Sequence, residues 1–256
     1  MNEKGFNKED CAEVSELFAS LQGEGKYVGF LHIFVRFANC NLNCAYCDTL
    51  KRTARMAVEF PPGSTVCDYF DSPVQMETLL SCLERFVKGW HYYHALSLTG
   101  GEPLLQPPAV IEALCDWAHS RGLKTLLETN GTLPDVLSEI VSKIDIVSMD
   151  IKIQSATSEP AMFDKNLEFL QVARRAGEVY VKVVVCEKSS RGEIEEAAKL
   201  VSSVDRKIEL FIQPVTPRRG ERFVQPALLF AFYQVAAKYL DFVRILPQCH
   251  RFLNIK

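Results

Sequence analysis

Long apolar runs are what this sequence lacks most: none of its 256 residues belongs to the ~18-residue apolar stretch that a membrane-spanning helix requires. Its first residues, MNEKGFNKEDC, are polar and have no apolar export core, so the expectation is a cytoplasmic protein with no membrane partner. A charge excess is missing as well. Lys and Arg number 29 against 32 Asp and Glu, a net charge of -3, which offers no basic surface to nucleic acid and points to a small-molecule substrate. Internal repeats and low-complexity segments are absent, and with 48% hydrophobic and 24% charged residues the chain can bury a sizeable core. A single domain over 1–256 is the expectation.

Paired cysteines are also hard to find. Nine is an odd count in a chain without an export signal, which argues against a disulfide framework. Cys67, Cys82, Cys115, Cys186 and Cys249 are scattered singly and read as packing residues. The exception is a trio, Cys40, Cys44 and Cys47, within eight residues.

What the sequence does contain is alternation. Apolar, β-branched runs at 31–38, 95–99, 123–129, 144–150, 179–186, 208–213 and 243–246 predict strands buried on both faces. Helical spacing occupies 76–88, 108–121, 134–142, 161–176, 192–203 and 226–239, several of these opening on a proline, whose missing N–H costs nothing in a first turn. Periodicity alone fits a whole or partial β/α barrel or a doubly wound open sheet. Residues 50–73, rich in Pro, Gly, Ser and Asp, predict a long loop or insertion. Polar residues cluster just after the strands, on the face where parallel β/α folds bind ligands.

The trio sits on the loop leaving the first strong strand, where one compact metal centre can take all three thiolates. Three ligands are one short of a closed tetrahedral site, and an open position implies chemistry. The alternative is structural zinc with a remote fourth ligand such as Cys67 or His32. Leu98-Thr99-Gly100-Gly101-Glu102-Pro103 ends the next strand, with glycines where backbone can approach a ligand closely. Glu128-Thr129-Asn130-Gly131 ends the one after; on its own it is a turn.

Cys-x3-Cys-x2-Cys with Tyr46 before the last cysteine, followed at this spacing by Gly-Gly-Glu-Pro, resembles the radical S-adenosylmethionine (SAM) superfamily. The resemblance implies a partial TIM-like (β/α) barrel of about six strands, with a 4Fe-4S cluster on Cys40, Cys44 and Cys47 at its C-terminal face. It also implies SAM on the fourth iron, with Tyr46, Asp48, Gly100, Gly101, Glu102, Glu128, Asp150, Lys152 and Gln213 around the cofactor.

Upstream, Leu21-Gln22-Gly23-Glu24-Gly25 and, on the following strand, Arg36 resemble the 7-carboxy-7-deazaguanine synthase family of the queuosine pathway, from about Glu16 to the C-terminus. That family contracts 6-carboxytetrahydropterin and releases ammonia. By this resemblance Leu21, Gln22, Gly23, Glu24, Arg36 and Thr99 hold the pterin. A side-chain amide and carboxylate suit the hydrogen-bonding edge of a planar heterocycle, and a guanidinium suits its carboxylate. Thr49, directly after Cys47-Asp48, matches a magnesium ligand; Gln248 and His250, in a closing segment over 243–256, are further substrate-site residues by the same resemblance. Asp150-Ile151-Lys152 departs from the Ser-Pro-Lys of some members. The resemblance further implies a flavodoxin or ferredoxin as electron donor and a homodimer. The rivals are a glycyl-radical-enzyme activase and a non-catalytic iron-sulfur or zinc protein.

Overall fold

The computed structural model describes residues 11–47, 53–88, 92–217 and 222–256. The chain lays down β1 (Cys11–Ala12) and β2 (Val14–Leu21), turns through 22–30 and returns antiparallel as β3 (Leu31–Phe37). Beyond the cysteine loop come the hairpin β4 (Arg55–Glu59) and β5 (Cys67–Asp71), then β6 (Val74–Gln75), which pairs with β1. Strand and helix then alternate: α1 (Met76–Val87), β7 (Ala95–Gly100), α2 (Pro108–Ser120), β8 (Lys124–Thr129), α3 (Pro134–Ile140), β9 (Ile146–Ile151). The series continues through α4 (Gln154–Thr157), α5 (Phe163–Ala173), β10 (Glu178–Val185), α6 (Arg191–Val204), β11 (Leu210–Pro214), α7 (Pro226–Ala236), β12 (Val243–Ile245) and α8 (Cys249–Leu253).

One sheet takes the order β12-β11-β10-β9-β8-β7-β3-β2-β4-β5, parallel from β3 to β12 and open at both edges. This is the partial barrel that the resemblance implies, with the three-residue β12 added beside its six longer parallel strands. The two-residue period of a strand divides its side chains between two environments. Val35 and Phe37, Leu96 and Leu98, Val147 and Met149, Val181 and Val183 all point outward, fully buried beneath the helices in the main core. The alternate positions face the barrel lumen. At the strand starts these are Ala95, Leu126, Ile146, Tyr180 and Phe211, a second apolar cluster that fills the bottom of the barrel. Two or four residues further on, each of these strands turns polar on the same face: Thr99, Glu128, Asp150, Lys182 and Gln213. A dry floor under a polar mouth follows directly from that alternation.

Helix ends match their sequence signals. Prolines occupy the first turns of α2, α3 and α7, and Ser190 with Glu193 forms a capping box that starts α6.

Two regions differ from expectation. Residues 14–21 are a strand, although Ser, Glu, Ala and Leu dominate them; pairing with β3 on one side and β4 on the other outweighs propensity. The expected loop at 50–73 is a sheet edge over its described part. Met56 and Val58 alternate inward, completely buried, and the Pro- and Gly-rich stretch that suggested a loop is only the hairpin turn, closed by Phe60 N–H on Val66 O at 3.1 Å. A period of two over five residues is too short to stand out beside that turn. Residues 50–52 lie outside the described ones.

The closing segment ties the two sides of the barrel together. Cys249 N–H donates to Gly23 O at 2.8 Å, Ser20 Oγ donates to Lys256 O at 2.8 Å, and Lys256 Nζ pairs with Glu16 at 3.1 Å and Glu59 at 2.9 Å.

Candidate active site

Two adjoining chambers, of 510 and 430 Å3, open at the C-terminal ends of the parallel strands. Each falls in the range of small-molecule sites, ~300–1,000 Å3. They share a wall that includes Glu24, Arg36, Thr99, Glu128 and Gln248.

The cysteine loop forms one end of the first chamber, lined by Cys40, Cys44, Tyr46 and Cys47. The loop is held by backbone bonds on several sides: Ala38 N–H to Glu13 O at 2.7 Å, Ala45 N–H to Thr157 O at 2.9 Å, and Glu102 N–H to Asn39 O at 2.8 Å. Gly100 and Gly101 line the same chamber, and they also let β7 pass beneath the loop. Gly100 has φ +109°, and a Cβ on Gly101 would lie 1.6 Å from Asn39 O. Backbone cannot yield by that much. Gly101→Ala is therefore expected to cost stability at or above the upper end of the ~1–3 kcal/mol of overpacking and to lower the iron bound on reconstitution. A Gly101→Ala protein with a full iron complement and unchanged melting would contradict this role.

Does the loop fit a cluster? Burial raises the Cys44 thiol to about 11, with Lys152 opposing, and raises Cys40 as well, so in this setting the thiols keep their protons until a metal takes the proton's place. Among the described residues no three His, Cys, Asp or Glu side chains converge as one ion requires. A cubane, by contrast, spreads three thiolates over three irons. The two remote zinc ligands considered above lie elsewhere. Cys67 is on β5 opposite Glu59, and His32 is inside the barrel, with Nδ1 2.7 Å from Ser97 Oγ and Nε2 3.1 Å from His94 Nδ1. At the other side of the first chamber, Asp150 Oδ1 and Gln213 Oε1 are buried acceptors with no partner among the described residues. Such orphans fit the hydroxyl and amino donors of a cofactor. The residues present therefore fit a cluster with SAM beside it.

Lys152 Nζ donates to Tyr46 Oη at 2.9 Å and to Asp150 Oδ2 at 2.8 Å, which joins the cysteine loop to β9. Asp150, in the place of the Ser of some members, is thus a counter-ion. Glu102 lies apart from the cavity. Completely buried, its carboxylate accepts from Thr129 Oγ1 at 2.8 Å, Asn130 N–H at 2.8 Å and Leu104 N–H at 3.1 Å. These bonds make Glu102, expected beside SAM, the anchor of the turn after β8. Asn130 Nδ2 then donates to Asn41 Oδ1 at 2.8 Å, and Asn41 Nδ2 to Thr132 Oγ1 at 2.8 Å, so that the turn supports the cysteine loop.

The second chamber is bounded by Leu21, Gln22, Gly23 and Glu24 and by His250 of α8. The His250 ring packs on Gly23, where a Cβ would meet its Nδ1 at 2.2 Å. Gln22 Oε1 accepts from Glu24 N–H at 3.0 Å, while Gln22 Nε2 donates to Glu128 Oε1 at 2.8 Å. The other Glu128 oxygen accepts from Thr99 Oγ1 at 2.9 Å. Glu128, expected beside SAM, is thus bonded to two residues of the substrate set, on the wall common to both chambers. Arg36 stands on that wall too; its Nε lies 2.9 Å from Glu16 Oε2, off the N–H axis, so that pairing is ionic in character.

Glu24 is the most heavily engaged. It bonds Lys182 Nζ, and Oε1 accepts from Gln248 Nε2 at 2.8 Å, the Gln248 carbonyl being held by Thr216 Oγ1 at 2.7 Å. Burial alone raises its carboxyl, but Lys182, Gln248 and His250 outweigh it and bring the group to about 2. Lys182 itself escaped the sequence reading. Its signal was a lysine inside Val179-Tyr180-Val181-Lys182-Val183, a strand otherwise fit for burial on both faces. Thr216 was missed for want of any motif, and Asn130, though within Glu128-Thr129-Asn130-Gly131, gave no signal of its bond to the cysteine loop. Asp48 and Thr49 lie outside the described residues.

The sequence profile of the radical SAM superfamily matches residues 34–201. A 7-carboxy-7-deazaguanine synthase of Geobacter sulfurreducens is 36% identical over 250 residues, 95% of this chain and 97% of its own. One of Methanothermobacter thermautotrophicus is 35% identical, over 96% and 98% of the two chains. Among solved structures, QueE from Escherichia coli superposes with a TM-score of 0.59 at 20% identity, over 94% of this chain and 95% of that one, a likeness of fold. A radical SAM methyltransferase from Sphaerobacter thermophilus does so at 0.54 and 13%, covering 85% of this chain and 66% of that one. Identity above a third, along almost the whole of both chains, carries the assignment that the geometry had opened: this chain belongs to the radical SAM superfamily and, within it, to the 7-carboxy-7-deazaguanine synthase family.

Proposed function

We propose that the protein is a radical SAM lyase that contracts 6-carboxy-5,6,7,8-tetrahydropterin to 7-carboxy-7-deazaguanine with release of ammonia. The observation that carries this reading is the pair of chambers with a common wall: thiols and orphan acceptors in one, an amide, a carboxylate and a guanidinium around the other. Cys40, Cys44 and Cys47 hold the 4Fe-4S cluster, and Tyr46, Gly100, Gly101, Asp150, Lys152 and Gln213 surround SAM. When bound and reduced, cluster and SAM together supply a 5'-deoxyadenosyl radical that takes a hydrogen atom from the pterin.

The chain's own residues orient the substrate and keep water out. Gln22 and Glu24 take the hydrogen-bonding edge of the ring, and Arg36 with Thr99 takes its carboxylate side. The apolar cluster under the lumen closes the site from below. Thr49 would hold a magnesium ion, which would supply positive charge against the substrate carboxylate. A flavodoxin or ferredoxin delivers the electron, and the enzyme works as a single-domain homodimer in the cytoplasm. An activase for a glycyl-radical enzyme needs an open docking face for a protein substrate, which the chamber around Gln22, Glu24 and Arg36 does not favour.

The test is anaerobic turnover with reductant, SAM, magnesium and the pterin, followed by mass spectrometry. The deazapurine is expected only with the complete mixture. Thr49→Ala is expected to lose most of the stimulation by magnesium, and a variant stimulated like the wild type removes Thr49 from the metal. Deoxyadenosine without any deazapurine keeps the superfamily chemistry but overturns the substrate.

A further inference from the structure

Lys182 is a charged side chain that the proposed chemistry does not use. It is 7% exposed, between Val181 and Val183 on β10, both completely buried. Lysine is rarely found so deep without a reason. Its ammonium bonds Glu24 Oε2 and lies 3.5 Å from Asp150 Oδ2. One neighbour belongs to the loop that lines the second chamber, the other to the strand end beside the cysteine loop. Lys182 lines the first chamber only, so its route to the pterin runs through Glu24.

We propose that Lys182 is a positioning residue for the substrate: it holds Glu24 as an oriented carboxylate whose remaining lone pairs face the N–H edge of the pterin. This rests on the reading that the second chamber takes the pterin. The chemistry requires such a partner. A pterin presents neighbouring N–H donors, which a carboxylate accepts in parallel, whereas a protonated carboxyl brings a donor against a donor. A buried carboxyl left alone takes up a proton. Gln248 donates to Oε1 and Lys182 to Oε2, and a carboxylate oxygen can accept a second bond. The other charged groups around Glu24 are Arg36 on β3, Glu128 on β8, Asp150 on β9, and His250 and Arg251 on α8. The Lys182 ammonium, on β10, pairs with the carboxylate directly.

The test uses the full chain with its cluster reconstituted and no reductant, so that nothing turns over. Binding of 6-carboxytetrahydropterin is followed by anaerobic calorimetry from about pH 5.5 to 8.5, a range that a desolvated carboxyl reaches, in wild type, Lys182→Met and Lys182→Arg. The ligand's own titration is common to all three and cancels in ratios of affinity. Lys182→Met is expected to bind about 10–100-fold more weakly at the acid end, the value of a hydrogen bond to a charged group, and to recover as pH rises. Lys182→Arg is expected to restore most of the affinity and a ratio independent of pH. A Lys182→Met ratio that is constant across pH, whether near one or uniformly low, overturns the proposal. The Glu24 carboxylate infrared band, isolated by subtracting Glu24→Gln, reads the same link without ligand: it is expected to titrate at higher pH in Lys182→Met, and an unmoved band also overturns it. Should wild type bind SAM but no pterin, the substrate reading falls, and the band decides Lys182 by itself.

Discussion

Cys44→Ala is expected to give a folded protein that holds no 4Fe-4S cluster. The wild type should carry about four irons per chain after reconstitution, and the variant close to none, with 5'-deoxyadenosine formation lost by at least ~1,000-fold. The fold should survive because Cys44 is only half-buried, on a loop whose backbone is tied to Thr157, Glu13 and Glu102 by bonds that the substitution leaves intact. Iron analysis and circular dichroism on the same sample separate the two effects. A variant that retains its full iron would remove the trio from the cluster, and one that unfolds would make the loop a part of the core.

Glu24→Gln should lower both stability and substrate affinity. Removing one partner of a buried ion pair costs ~3–5 kcal/mol, and Asp150, 3.5 Å from the same ammonium, reduces the loss here to about 2 kcal/mol. The pH dependence gives the effect its signature. The carboxyl titrates at about 2 in the folded chain, below its ordinary 4.5. The folded state therefore binds the proton less readily than the unfolded one, and the stabilisation is complete above about pH 4.5 and disappears as pH falls towards 2. Denaturant titrations of wild type and Glu24→Gln should accordingly run apart at neutral pH and converge across that acid window. At neutral pH the pterin KM should rise at least ~10-fold with that of SAM unchanged, because an amide offers one acceptor and two donors where the carboxylate offered acceptors alone. Stability curves that stay parallel down to pH 2 would show that Glu24 is not held by Lys182.

The sequence revealed most where one physical rule governed a whole element. The parallel strands announced themselves because burial on both faces leaves an unbroken apolar run, and α6 because its apolar residues recur at helical spacing. The cysteine loop was visible since nothing but metal chemistry calls for three thiols in eight residues. What stayed hidden depended on tertiary context. Strand β2 has no run of β-branched residues and forms because β3 and β4 flank it. Glu102 sits in a motif that suggests a ligand, but the donors that hold it, from Thr129, Asn130 and Leu104, come together only in the fold. Lys182 lies 158 residues from Glu24, and no local pattern links the two. Its misfit in an apolar strand was the available clue, and burial of a charge is a question that only a fold can answer.

The measurement that reaches the centre of the account is turnover of 6-carboxytetrahydropterin deuterated at C6, with the label followed by mass spectrometry. The account predicts that deuterium enters 5'-deoxyadenosine while the contracted deazapurine and ammonia form alongside. Unlabelled deoxyadenosine made at the same rate with or without the pterin, and no deazapurine, would contradict it.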